Sequence, residues 1–209
     1  MKVLAIGAHF DDVELGCGGT LLNHLKNKDQ LNVLVVTKSG YTSKMTNHER
    51  NNKVACKEGM KSAKLLKSNL IMGNFETLKL TASMELVNYL CEQIKQINPD
   101  IVYTHFLGDQ HLDHQAVAKA SIIATRNTKK VLAYMSNVYD TVPKFEPNYF
   151  VNISDTFEEK ISLINCFESE KETHLQWKKQ LKAMSQIYGI KIGREFAEAF
   201  QVVRIVEEK

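Results

Sequence analysis

Cysteine is sparse in this chain and never clustered. Cys17, Cys56, Cys91 and Cys166 are scattered over 209 residues with no C-x-x-C pair. That spacing excludes a disulfide framework and a cysteine-type zinc site. Each cysteine therefore reads as a small buried or half-buried apolar residue. Cys17, closest to the first motif below, is the one expected to be sensitive to oxidation. Long hydrophobic runs are also missing. The longest reach about half a dozen residues, whereas a membrane helix needs about 20. Charge of one sign is not in excess: the formal net charge is +3, and basic and acidic residues are interleaved. No lysine stripe with interspersed aromatics argues for nucleic acid. Met1-Lys2-Val3-Leu4 runs straight into an apolar segment without a signal-peptide h-region or small-residue cleavage site. The expectation is a cytoplasmic protein.

What is present is enough for one substantial core, 44% of residues being hydrophobic, so a single domain over 1–209 is expected. Strand-length apolar runs at 3–8, 31–37, 69–72, 100–105 and 131–135 alternate with helical segments at 18–28, 49–67, 82–97 and 113–126. Leu86, Leu90, Ile94 and Ile97 recur at helical spacing, and Asn98-Pro99 ends that helix. This alternation predicts an α/β fold with a mostly parallel sheet and helices on both faces. Beyond Tyr139, a strand at 149–153 and a helix to about Glu168, opened by a capping box of Asp155 and Glu158, are expected. A helix over 174–188 and a strand over 199–206 follow. The polar stretch 39–48 succeeds a strand and reads as a substrate loop or lid. There are no internal repeats and no low-complexity segment.

Chemistry is concentrated at two strand tips. Gly7-Ala8-His9-Phe10-Asp11-Asp12-Val13-Glu14 follows the run Val3-Leu4-Ala5-Ile6, and Asp109-Gln110-His111-Leu112-Asp113-His114 follows Ile101-Val102-Tyr103-Thr104. Burying so many acids is costly unless a cation or hydrogen bonds compensate. In an open α/β sheet, ligands bind outside the carboxyl ends of the strands, where the two clusters could meet. His9, Asp12 and His114 would supply the three-ligand set of a catalytic zinc, although a His₂-Asp site accepts other divalent metals. Asp11, beside a ligand, suits a general base acting on a metal-bound water. His111, one helical turn before His114, suits a protonated oxyanion stabiliser and acid, with Asp113 or Asp109 holding its charge. The turn Gly16-Cys17-Gly18-Gly19 could suggest a dinucleotide, but its spacing departs from G-x-G-x-x-G and the adjacent acids would repel a pyrophosphate.

The segment 7–21, the segment 109–114 and Ala197-Glu198-Ala199-Phe200 together resemble the LmbE-like, or PIG-L, zinc-dependent N-deacetylases, nearly end to end. The resemblance implies a Rossmann-like three-layer fold. It implies removal of the N-acetyl group from an N-acetylglucosamine-type amino sugar or a conjugate, with Zn2+ as cofactor. By that resemblance His9, Asp12 and His114 are metal ligands, Asp11 is the base, His111 stabilises the oxyanion, and Asp113 supports His111. Alternatives are a glucosamine conjugate of thiol-cofactor synthesis, another N-acyl amide, or a non-catalytic sugar-binding relative. The expected partner is a small molecule, with no nucleic acid and no membrane span; a homo-oligomer is possible. No substrate-binding residue is assigned.

Three departures from the family pattern stand out. Phe10 replaces a proline that would stiffen the turn aiming the aspartates, and could put an aromatic at the pocket mouth. Aligning the family's R-x-x-E on Glu58 puts Ala55 at the arginine position, leaving Arg50, five residues earlier, as the basic residue that could compensate. Glu168-Ser169-Glu170 stands where relatives carry an S-Q pair. Of the remaining residues, His105 is expected to support the site or line it. His24, His48 and His174 are expected at the surface. Trp177 is expected in packing, with a sugar-facing role as the alternative, and Glu198 as either a structural carboxylate or a substrate contact.

Overall fold

The structure, a computed structural model, describes residues 1–43 and 48–207. The apolar run at the N-terminus forms β1 (Lys2–Gly7), buried on both faces as expected of a central parallel strand. It continues through α1 (Asp12–Lys26), β2 (Gln30–Thr37), a two-stranded antiparallel ribbon of β3 (Tyr41–Ser43) and β4 (His48–Arg50), α2 (Asn52–Leu65) and β5 (Asn69–Phe75). Then come α3 (Met84–Ile97), β6 (Ile101–His105), α4 (Leu112–Ala124), β7 (Lys130–Tyr134), β8 (Tyr149–Asn152), α5 (Phe157–Ile164), α6 (Lys171–Lys191) and β9 (Ala197–Ile205). Seven strands form one sheet in the order β5-β2-β1-β6-β7-β9-β8. β5, β2, β1, β6 and β7 pair in parallel, while β9 runs antiparallel to both β7 and β8.

The chain leaves β1 in one direction to build β2 and β5, then crosses back to lay β6 on the other side. The carboxyl ends of β1 and β6 therefore flank a topological switch point, the place where such sheets bind ligands. Two apolar clusters cover the two faces of the sheet. Val13, Leu21, Ala55, Leu163 and Phe167 lie on one side; Leu86, Leu90, Ala116, Val117 and Ala120 lie on the other. Among the described residues no helix is long and apolar enough to cross a membrane.

The structure revises several element boundaries. The helix expected from residue 18 begins at Asp12 but breaks at Cys17 (φ −142°, ψ 15°). In an unbroken helix the Gly19 N–H would bond the Leu15 carbonyl. Here each group has a substitute partner. Glu198 accepts from the N–H groups of Gly19 (2.8 Å) and Thr20 (2.7 Å), and Lys160 donates to the Leu15 carbonyl (2.8 Å) and to Glu198 (2.6 Å). Glu198 is thus a structural carboxylate, fully engaged in capping the second half of α1. Residues 49–50 belong to the ribbon, and Asn51 caps α2 by accepting from the Lys53 N–H. The expected capping box at Asp155 does not form: Ser154–Thr156 makes a 3₁₀ turn without a side-chain cap, and α5 ends at Ile164. The polar stretch 39–48 contains β3 and the first residue of β4 in place of the expected loop, and 44–47 lie outside the described residues. Asn98 takes the left-handed conformation that closes α3 (φ 49°).

Two consequences are measurable. Gly16 lies against Tyr134, where an added Cβ would come within 2.0 Å of the ring. Tyr134 is fully buried and donates to the Ile6 carbonyl, so it has nowhere to move. Gly16→Ala should lower stability by about 1–3 kcal/mol in a denaturant titration. Lys160→Met leaves the buried Glu198 without its cation and the Leu15 carbonyl without its donor, and should cost about 3–5 kcal/mol. Lys61→Met, which breaks an exposed pair with Glu168, should leave the midpoint nearly unmoved.

Candidate metal centre and active site

The loop after β1 brings His9, Asp11 and Asp12 to the switch point, and β6 with the start of α4 brings His105, Asp109, His111, Asp113 and His114. Residues about a hundred positions apart meet here, as the sequence implied. Asp12, Asp109, Asp113, His105 and His114 are each 3% exposed or less.

Two carboxylates aim two imidazoles. Asp109 Oδ2 bonds His114 Nδ1 at 3.0 Å, turning His114 Nε2 inward. Asp113 Oδ2 bonds His9 Nε2 at 2.9 Å, turning His9 Nδ1 inward. The inward nitrogens lie 3.3 Å apart. Asp12 faces both, one oxygen to each, with Oδ1 3.1 Å from His114 Nε2 and Oδ2 3.4 Å from His9 Nδ1. Donors bonded at 2.0–2.1 Å to one tetrahedral ion are separated by about 3.3–3.4 Å. Each donor pair is near that spacing, with Asp12 meeting the two imidazoles through different oxygens, so the cluster could hold a divalent cation. Support of each ligating imidazole by a carboxylate is the usual outer arrangement of such sites. Two other donor sets also fall within 4.8 Å: His9 with His111 and His114, and Asp12 with His105 and His114.

The electrostatics favour positive charge at the same point. Burial pushes the Asp12 carboxyl up, but His114, His105 and His9 outweigh it and hold it well below the usual carboxylate range. Burial likewise opposes protonation of His114, yet Asp12 and Asp109 lift that imidazole to about 10. A positive charge shared between Asp12 and Asp109 is what the cavity stabilises. A divalent metal ion supplies it more strongly than a proton.

Asp113 differs from its expected place. The carboxylate expected to support His111 instead holds His9 and accepts from the N–H groups of Leu78 (2.7 Å) and Leu80 (3.1 Å). His111 is the N-cap of α4: its Nδ1 accepts from the Asp113 N–H at 3.2 Å. An accepting Nδ1 leaves the proton on Nε2. Burial, His114 and His9 push His111 down to about 4. His111 is therefore a neutral Nε2–H donor, not the protonated imidazole expected from the sequence. It packs against the His114 ring at 4.4 Å and edge-on to His9 at 4.8 Å.

His105 supports the site as expected, with Nε2 3.2 Å from Asp12 Oδ2 and its ring stacked on His114 at 4.0 Å. Glu14 points to the other side of α1, where it accepts from Ser62 at 2.5 Å, and burial raises its carboxyl to about 7. Its position two residues past Asp12 already placed it on another helix face. His24 is buried rather than on the surface, bonded to Asp29 (2.6 Å) and Tyr103 (2.9 Å). His48 is half-buried, 3.6 Å from Glu170. His174 is among residues whose side chains are not described. Trp177 sits half-buried on α6. Cys17 is fully buried, and burial raises its thiol well above the ordinary range, which argues against the expected oxidation.

Arg50 is the residue whose importance sequence reasoning underrated. Its side chain is buried; Nη2 bonds Glu58 Oε2 at 3.1 Å, Nη1 bonds the Phe10 carbonyl at 3.1 Å, and Nη1 lies 3.7 Å from Asp11 Oδ2. Phe10 lines a pocket, as a buried wall rather than an exposed ring. Its ring is buried under α2, where a Cβ on Gly59 would meet it at 2.1 Å. It forms one wall of a cleft of about 430 Å³ between the ends of β2 and β5 and the start of α2, which Lys38, Lys53 and Lys57 also line.

Comparison with known proteins agrees with this geometry. The family model described as PIG-L, GlcNAc-PI de-N-acetylase, matches residues 4–125. The Escherichia coli protein named uncharacterized deacetylase YaiS is 31% identical over 164 residues, covering 74% of this chain and 83% of that protein. Diacetylchitobiose deacetylase of Thermococcus kodakarensis is 25% identical, covering 97% of this chain and 83% of its own length. Among solved structures, the 4-carboxy-2-hydroxymuconate hydratase GalB of Pseudomonas putida superposes with a TM-score of 0.83 at 17% identity, covering 100% of this chain and 99% of GalB, a likeness of fold alone. With the family model spanning more than half of its length and both strand-tip clusters, the chain belongs to the PIG-L family.

Proposed function

We propose that this protein is a metal-dependent N-deacetylase that hydrolyses the acetamido group of an N-acetylglucosamine-type sugar derivative, giving acetate and a free amine. The observation that carries the reading is the convergence of His9 Nδ1, His114 Nε2 and the two Asp12 oxygens, 3.1–3.4 Å between neighbouring donors, with both imidazoles aimed by carboxylates. Relatives named as deacetylases, one of them acting on diacetylchitobiose, support the reaction and the sugar. Fold alone would not, since GalB shares it.

His9, Asp12 and His114 would hold the metal, taken as Zn2+. Once bound, that ion lowers the pKa of its water from 15.7 to about 7 and polarises the acyl oxygen. Asp11, 7% exposed at the rim of the cluster, takes the proton from the attacking water. His111 donates its Nε2–H to the acyl oxygen as the carbonyl becomes tetrahedral. The proton held on Asp11 then goes to the leaving nitrogen, so that water is consumed and acetate and amine are released. Asp113 acts through His9 rather than on substrate.

A second reading keeps the reaction and enlarges the substrate to a glucosamine conjugate with an acidic aglycone. The lysine-lined cleft beside Phe10, with no acid in its lining, favours it. Zinc-loaded protein assayed for acetate release on N-acetylglucosamine, its 1-phosphate and an acidic glucoside separates the two. Equal rates on all three would remove the second reading. No release from any N-acetylated sugar would overturn the first.

Asp11→Asn should keep stoichiometric zinc and lose about 10²–10⁴-fold in turnover, whereas His114→Ala should lose the metal outright. Asp113→Asn should weaken zinc affinity by about 10–100-fold in a competition titration, and His111→Ala should leave that affinity almost unchanged. An Asp113 variant with native affinity and lost turnover would return Asp113 to a role on His111.

A further inference from the structure

Asp11 stands in a strained conformation, left-handed at φ 112° and ψ −28° without being glycine. Such a conformation is rare for a residue with a side chain and persists only where its surroundings over-determine it. The strain serves the cluster, because the same turn delivers His9, Asp11 and Asp12 in succession. The turn is tied on its outer side, where Ser39 Oγ accepts from the Phe10 N–H (2.9 Å) and Thr37 donates twice to the Ala8 carbonyl (3.0 and 2.8 Å). Its inner side, the Phe10 carbonyl and the Asp11 carboxylate, faces one guanidinium.

We propose that Arg50 is a positioning residue for Asp11, a clamp brought in by the β3–β4 ribbon that holds the β1–α1 turn in its strained, catalytically aimed form. Nη1 grips the turn itself through the Phe10 carbonyl and Asp11. The other nitrogens are anchored elsewhere: Nη2 on Glu58, and Nε on Ser169 (3.1 Å) with Glu170 at 3.5 Å. The anchor is itself fixed, since Glu58 accepts from both the N–H and the hydroxyl of Ser169 at 2.7 Å. Each of the three guanidinium nitrogens has a partner within the protein, and the residue is 4% exposed. A planar fork that meets a carbonyl and a carboxylate on one side and two carboxylates on the other is a task lysine cannot copy. The clamp stands where two family features are missing: Phe10 lacks the stiffness of proline, and Ala55 occupies the arginine position of α2. Burial opposes the guanidinium charge, and Asp11, Glu170 and Glu58 outweigh it, so the clamp stays charged.

The inference rests on Asp11 being the base, and the test separates the two. In Arg50→Lys and in Arg50→Met/Glu58→Gln, which removes the Glu58 charge together with the guanidinium it anchors, zinc content, kcat, KM and amide hydrogen exchange are measured on the zinc-loaded protein. The clamp predicts one zinc per chain, a kcat lower by about 100-fold, a KM little changed, and faster exchange at residues 9–13 with β6 unaffected. Guanidinium ion added to Arg50→Ala should restore part of the lost kcat. A raised KM at native kcat would make Arg50 a substrate contact and overturn the proposal. So would native kcat, or a loss of zinc in step with kcat. If the wild-type protein itself hydrolyses nothing, the deacetylase reading fails, and the exchange of residues 9–13 still decides whether Arg50 holds the turn.

Discussion

The whole active end of this molecule depends on neutralising carboxylates that the fold buries. Asp11, Asp12, Asp109 and Asp113 crowd the carboxyl ends of two adjacent parallel strands, none more than 7% exposed. Leaving them charged in that environment is costly unless each finds a hydrogen-bond donor or a cation. Each one does. Asp113 takes two backbone amides and an imidazole, Asp109 an imidazole and the His111 amide, and Asp11 the Arg50 guanidinium. Asp12, ringed by three imidazoles, is the one whose compensation calls for a charge at the centre.

From that constraint the division of labour follows. A carboxylate that bonds the outer nitrogen of a histidine fixes its tautomer and turns the other nitrogen inward. The structure does this twice with opposite nitrogens, so His9 offers Nδ1 and His114 offers Nε2. His111, capping α4 through Nδ1, is left as a neutral donor on the same wall. In the proposed reaction such a donor would meet the negative charge developing on the acyl oxygen, and a preorganised dipole costs no reorganisation during the reaction. The charged pair of α5 and β9 plays a purely structural part. Lys160 and Glu198 repair the break at Cys17 that lets α1 turn the strand-tip loop into a helix.

Much of this was legible in the sequence for a simple reason. A parallel strand buried on both faces is a bare apolar run, and the abrupt change to His and Asp at its end marks a functional tip. That His9, Asp12 and His114 would meet at one strand-tip cluster could therefore be read before any coordinates. What sequence could not supply was pairing within the cluster. Asp113 lies next to His114 and two residues from His111, yet it bonds His9, because the first turn of α4 points its side chain across to the other strand tip. Arg50 was obscured by its origin in a short ribbon rather than in α2, and Glu198 by a helix break that no periodicity announces. His24 read as a surface residue because its partners, Asp29 and Tyr103, are distant or unremarkable in sequence.

The central claim is that His9 Nδ1, Asp12 and His114 Nε2 share one metal ion. The most direct test is a crystal structure of the zinc-loaded protein with an anomalous difference map at the zinc edge. A single peak bonded to those three donors, with His105 and His111 outside bonding distance, is the predicted result. A peak held instead by Asp12, His105 and His114, or no peak at the switch point, would contradict it.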